Sequence, residues 1–209
     1  MWSSTRSCAA EPRTRGLRHT RAAALALVLA ALGPLVATPP ALAREAAAAT
    51  IPAEARQYLG EPRLSGSGRL TWFGLHVYDA ALYLPPGVPL GALDDARFVL
   101  ELRYARALEG RAIATASRDE MARMNLADAA TLARWTEQMA RLFPDVKRDQ
   151  RLVGVNLPGR GVSFYFDGRP LGTIDDPAFA RAFFAIWLDE RTRAPQLRQA
   201  LLAGKPARP

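Results

Sequence analysis

Phe98, Leu100, Leu102 and Tyr104 alternate with Val99, Glu101 and Arg103, the period of a strand that turns one face to a core. Val162, Phe164 and Phe166 repeat the pattern against Ser163 and Tyr165, and Asp167-Gly168 follows as a turn. Gln150 to Leu157 pairs with that strand as a hairpin across Pro158-Gly159-Arg160-Gly161, and Leu171 to Ile174 adds a short strand. Between these runs the period changes to that of a helix. Ile113, Ala116, Met121 and Met124 line one side of a helix over 109–125. Leu132, Trp135, Met139 and Leu142 line a second, which Asp128 caps and Pro144 closes. Asp175 or Asp176 caps a third, with Pro177 at its first position and Phe179, Phe183, Ile186 and Trp187 as a broad aromatic face. A fourth has Pro195 near its start, Leu197 and Leu201 one turn apart, and Gly204 as its stop.

The stretch over 69–84 is apolar on both faces and rich in aromatic and β-branched residues. Gly74 in its middle marks a bulge or a close backbone approach, so the segment is a pair of strands or one bent strand. The preceding Leu64-Ser-Gly-Ser-Gly68 has turn chemistry, and Pro52 to Leu59 holds one or two helical turns. Strands, helices, strands and helices in that order predict an α+β domain, an antiparallel sheet with helices packed on one face.

The first 43 of the 209 residues are set apart by composition. Five arginines precede an apolar run over 22–37, and Ala41-Leu42-Ala43 is a small-x-small cleavage site, which together predict a signal peptide. Gly33 and Pro34 interrupt the apolar run and leave it short of the ~20 residues a membrane span needs. The expectation is therefore export to the periplasm, with no transmembrane anchor after cleavage. An Ala-rich leader over 44–61 then precedes a domain over 62–204. Beyond residue 43 the chain carries 23 basic and 19 acidic residues, a net charge of +4, and the two signs are interspersed. That pattern argues against a nucleic-acid partner. The same part has no cysteine and one histidine, His76, so neither a disulfide framework nor a zinc site is expected, and no motif calls for a cofactor.

No phosphate loop, nucleophile elbow or metalloprotease motif is present. His76, inside an aromatic strand, reads as a half-buried structural residue, and Asp175-Asp176 as helix-capping residues. Arg69 and Tyr78 could converge on a carboxylate or enolate. Nine residues apart, they fall on opposite faces of a regular strand, with Arg69 at the surface and Tyr78 in the core. A bulge at Gly74, or a turn between two strands, would reverse that.

Four segments carry a resemblance: GSGRLTWFGLHVYDAALYLP over 66–85, FVLELRYAR over 98–106, LFPDVKRDQRLVGV over 142–155 and FYFDGRPLGTIDDPAFARAFFAIWLDERTRAPQLRQALL over 164–202. Together they resemble the bacterial chalcone isomerase-like family, in its periplasmic branch. The resemblance implies an open-faced sandwich, a large antiparallel sheet under a layer of helices, with a ligand cleft between the layers. Plant members close a chalcone to a flavanone with an Arg, a sheet Thr, and a helical Tyr and Asn seven residues apart. Aligned through Gly110, the last two positions become Ile113 and Glu120, the Thr falls near Tyr78 and the Arg near Arg69, so two of the roles are vacant. Relatives that bind fatty acids without catalysis hold the carboxylate with an Arg and a Tyr on the sheet, and Arg69 with Tyr78 resembles that pair. The expected function is thus non-catalytic binding of a small amphipathic ligand, fatty-acid-like or another carboxylate. One rival is an isomerase or intramolecular lyase with Glu120 as base, and the other a structural or interaction protein of the cell envelope whose core is filled. Oligomeric state is not legible.

Overall fold

The structure, a computed structural model, describes residues 51–203. Both the segment read as a signal peptide and the stop at Gly204 lie outside them. Six strands form one antiparallel sheet in sequence order: β1 (Arg63–Trp72), β2 (Leu75–Leu84), β3 (Phe98–Tyr104), β4 (Arg151–Leu157), β5 (Gly161–Phe166) and β6 (Arg169–Ile174). Every neighbouring pair is antiparallel, so no parallel crossover is needed: short turns join β1 to β2, β4 to β5 and β5 to β6, and the long connection from β3 to β4 carries two helices. Four helices cover one face: α2 (Gly110–Arg123), α3 (Ala129–Leu142), α4 (Pro177–Leu188) and α5 (Pro195–Leu201). The architecture is the expected α+β one.

Alternation decides which side chains reach the helices. Leu82, Leu100 and Phe164 stand in register across β2, β3 and β5, and all three are buried beneath the helix layer. The aromatic face of α4 closes on them. Phe183 packs edge-on to Phe164 with ring centroids 5.2 Å apart, and Phe184 meets Phe98 at 4.6 Å. Of the two adjacent aspartates, Asp176 is the cap, accepting from the amides of Ala178 and Phe179 at 2.8 and 3.2 Å. Its second oxygen accepts from Trp135 Nε1 at 2.8 Å, tying α3 to the start of α4. Burial opposes ionisation of this carboxyl, but the indole and the two amides together hold it below the usual carboxylate range. Asp175 does not cap. It accepts from Arg160 Nε at 2.8 Å at the surface.

The other face of the sheet is not bare. Within the stretch read as a leader, α1 (Ala53–Leu59) lays Ala55, Tyr58 and Leu59 on Tyr83, Val99, Val153 and Tyr165, a second and smaller apolar cluster. Tyr58 and Tyr165 share a hydrogen bond of 2.8 Å there.

One expectation about the first hairpin changes, and an open alternative is decided in favour of a pair of strands. The run over 64–68 is strand, not turn, because Gly66 and Gly68 are the positions on which α5 rests. A β-carbon at Gly66 would strike the Ala200 carbonyl oxygen, and one at Gly68 would come within 2.9 Å of the Ala200 and Leu197 side chains. Gly74 belongs to the hairpin turn itself. Trp72 pairs with Leu75, leaving Phe73-Gly74 as a two-residue loop with φ of 47° and 75°, positive at both positions as in a type I′ turn.

Candidate functional site

A cavity of about 830 Å³ lies between the sheet and the helices, within the size range of small-molecule sites. Its sheet wall includes Leu70, Tyr78, Leu102 and Tyr104, and α2, α4 and the segment leading into α5 supply the rest. The walls are mainly apolar. A second depression, about 500 Å³, opens beside Leu90 and Phe98 and carries Arg191 and Arg198. Their guanidiniums are engaged, Arg191 with Met124 O at 2.9 Å and Arg198 with Leu188 O at 2.7 Å. The larger cavity is therefore the candidate site.

Tyr78 and Tyr104 pair across β2 and β3, and their rings meet edge-on at 5.8 Å on the helix-facing side. Trp187 Nε1 donates to the Tyr78 hydroxyl at 2.8 Å. Burial pushes both phenols well above their ordinary range; the Trp187 bond opposes this at Tyr78, and the nearby Tyr78 adds to it at Tyr104. Both stay protonated, and among the described residues no acceptor takes the proton of either. The floor thus presents two neutral donors to whatever fills the space.

The structure does not bring Arg69 to Tyr78. A regular hairpin closed by Phe73-Gly74 would set the two residues directly opposite each other, sharing a face. Instead β2 carries one extra residue, Val77, between the pairs Thr71↔His76 and Leu70↔Tyr78. The slip moves Arg69 opposite Asp79, on the far side of the sheet from Tyr78. Arg69 Nε lies 3.1 Å from Asp79 Oδ1, and its side chain is 51% exposed. It borders the mouth of the cavity, with its charge turned outward. His76 Nε2 lies 3.2 Å from the same aspartate oxygen on the same face, without hydrogen-bond geometry. The turn between two strands that would unite the pair is present, but the bulge at Val77 restores the separation of a regular strand, with Arg69 at the surface and Tyr78 in the core.

Ile113 and Glu120, seven residues apart on α2, both line the cavity. Ile113 has no hydrogen-bonding side chain. Glu120 is clamped: Oε2 accepts from Arg123 at 3.0 Å, and Oε1 lies 3.1 Å from Arg193. Both oxygens are occupied by guanidiniums, which is not the arrangement of a base waiting for a substrate proton. Among the described residues no cluster of His, Cys, Asp and Glu could hold a metal ion, and no helix is long and apolar enough to cross a membrane.

Sequence reasoning missed Tyr104 and the second role of Trp187. Tyr104 was legible only as the last member of an apolar stripe; its hydroxyl, at a position aimed into the helix layer, was the available signal. Trp187 read as a core residue, and only the packing of α4 over β2 puts its indole on Tyr78.

The comparisons with known proteins match the antiparallel sheet roofed by helices. The chalcone isomerase-like family profile matches residues 43–203, and the chain belongs to that family. Among solved structures the fold is similar to that of a fatty-acid binding protein of Arabidopsis thaliana, with a TM-score of 0.52 and 16% sequence identity, covering 68% of this chain and 86% of that one. No curated protein sequence matches.

Proposed function

We propose that this protein is an exported, non-catalytic carrier of a small amphipathic molecule, held between sheet and helices with its apolar body in the cavity and an oxygen acceptor on Tyr78 and Tyr104. The observation that carries the reading is the cavity of about 830 Å³, apolar along its walls, with two protonated phenols at its floor. A solid core would leave no such space. The fatty-acid binding protein of similar fold supports it as an analogy of architecture.

The floor also narrows the chemistry of the head group. Arg69, the cation expected beside Tyr78, pairs with Asp79 on the other face, and at the floor, away from the exposed Arg106 and Arg193 of the cavity lining, a bare carboxylate beside the two neutral phenols would carry a large desolvation cost. An ester, an alcohol or a protonated fatty acid meets those donors at less cost. Titration with a fatty acid, its methyl ester and the corresponding alcohol is the direct test. The uncharged ligands should bind at least as tightly as the carboxylate at neutral pH. Ala116→Trp, which adds a ring where α2 borders the cavity, should weaken all of them by about tenfold or more. Binding unaffected by Ala116→Trp would remove the cavity from the reading, and rapid chalcone cyclisation abolished by Glu120→Gln would replace it with an isomerase.

Export rests on the sequence of the first 43 residues. The protein recovered from the periplasm should begin near Arg44, and N-terminal sequencing that finds Trp2 or Ser3 there would overturn this.

A further inference from the structure

Among the described residues the large hydrophobic side chains left in solvent are Trp72, Phe73 and Leu75, exposed by 50%, 90% and 56%. They are the tip of the β1–β2 hairpin, and they are consecutive apart from Gly74. Nothing in the turn requires them. Both loop positions have positive φ, which Asn or Gly adopts readily and a bulky aromatic residue does not. The tip therefore combines an unfavourable backbone conformation with an unfavourable exposure in one residue, Phe73. Features of that kind persist where a surface has work to do.

The tip is continuous with the site. Trp72 and Leu75 line the cavity as well as standing in solvent, so the hairpin forms part of the mouth. Arg106 and Arg193 line the same cavity and are exposed. Arg193 is shared with Glu120, whereas Arg106 has no carboxylate within salt-bridge distance among the described residues. Asp119 and Glu120 line the cavity too, but each is already paired with arginine, and an aromatic and aliphatic point beside the unpaired Arg106 is the chemistry of a bilayer interface, where rings enter the acyl boundary and cations meet lipid phosphates.

We infer that the Trp72-Phe73-Gly74-Leu75 tip inserts into the surface of an anionic phospholipid bilayer and sets the mouth of the cavity against it. A second copy of the chain fits the patch less well. Three partly exposed side chains offer roughly 400 Å², about half of what each partner contributes to a stable interface, and a symmetric contact would face the Arg106 and Arg193 of one copy with those of the other. Docked in this way, an amphipathic ligand passes between bilayer and cavity without crossing water. That consequence rests on the carrier reading above; the docking does not.

Phe73→Asn tests it, because Phe73 does not line the cavity and Asn-Gly is the preferred sequence for this turn. Wild type and variant, recovered from the same cells with the same N-terminus, are sedimented with vesicles of phosphatidylcholine alone and of phosphatidylcholine mixed with phosphatidylglycerol. Wild type should bind, more tightly to the anionic vesicles. The variant should bind about tenfold more weakly or worse, with a melting temperature about 2 to 4 °C higher and an unchanged affinity for a soluble fatty ligand. Arg106→Gln should reduce the preference for anionic vesicles. Equal vesicle binding by wild type and Phe73→Asn overturns the inference. So does a wild type that ignores vesicles, and if Phe73→Asn then splits a dimer the tip belongs to a second copy. Loss of ligand binding in wild type with vesicle docking intact would instead remove the carrier reading alone.

Discussion

Trp187→Ala should lower the unfolding free energy by about 3 to 5 kcal/mol. The indole is 5% exposed and packs edge-on to Phe183 with centroids 5.2 Å apart. Its Nε1 is also the donor to the Tyr78 hydroxyl, so truncation removes both a large ring from the helix layer and the hydrogen bond that positions a phenol at the cavity floor. The two contributions can be separated. Trp187→Phe keeps most of the packing and gives up the donor, and its cost should be nearer 1 to 2 kcal/mol, typical of one buried hydrogen bond and a small loss of volume. Because Trp187 lines the cavity, the space left by Ala merges with it, and ligand selectivity should move toward bulkier molecules. Chemical denaturation of the three proteins is the measurement. A change below about 1 kcal/mol for Trp187→Ala would mean that α4 does not pack on the sheet as described.

Gly66→Ala should cost about 3 kcal/mol or more, although it adds a single methyl group. The new β-carbon meets the carbonyls of Ala200 and Leu201, and a helix backbone cannot rotate out of the way as a side chain can. Either β1 bends or α5 lifts, and α5 holds Leu197 and Leu201, both buried. The segment from Ala194 to Leu197 is also a wall of the cavity, so the same substitution should weaken ligand binding. Gly91→Ala is the control. No atom lies within 4 Å of a β-carbon built there, and its effect should stay within about 0.5 kcal/mol. Equal melting curves for Gly66→Ala and wild type would show that α5 does not rest on β1.

By itself the sequence determined the secondary elements and their order. Period-2 alternation at Phe98–Tyr104 and Gly161–Phe166, helical stripes through Met121 and Trp135, and caps at Asp128 and at one of Asp175 and Asp176 are local patterns, and each was readable because its cause lies within a few residues. From those elements an antiparallel sheet under helices followed, together with a family resemblance of which the profile match bears out the chalcone isomerase-like family and does not extend to its bacterial periplasmic branch. Tertiary structure decided everything that depends on which residue stands opposite which. The turn-like composition of 64–68 became strand because α5 needs a surface without side chains, a demand made by residues about 130 positions away. Whether Arg69 and Tyr78 could share a ligand turned on one inserted residue, Val77, and a slip of one position exchanges the faces of everything beyond it. Nothing in the local sequence distinguishes a bulge there from one at Gly74. Likewise Tyr104 became a partner of Tyr78 only through the register of β2 on β3, and Trp187 a donor only through the seating of α4. Local pattern is set by the conformational preferences and solvation of neighbouring residues, whereas register and layer packing are set by the summed fit of distant surfaces, so the fold was legible in the chain and the floor of its cavity was not.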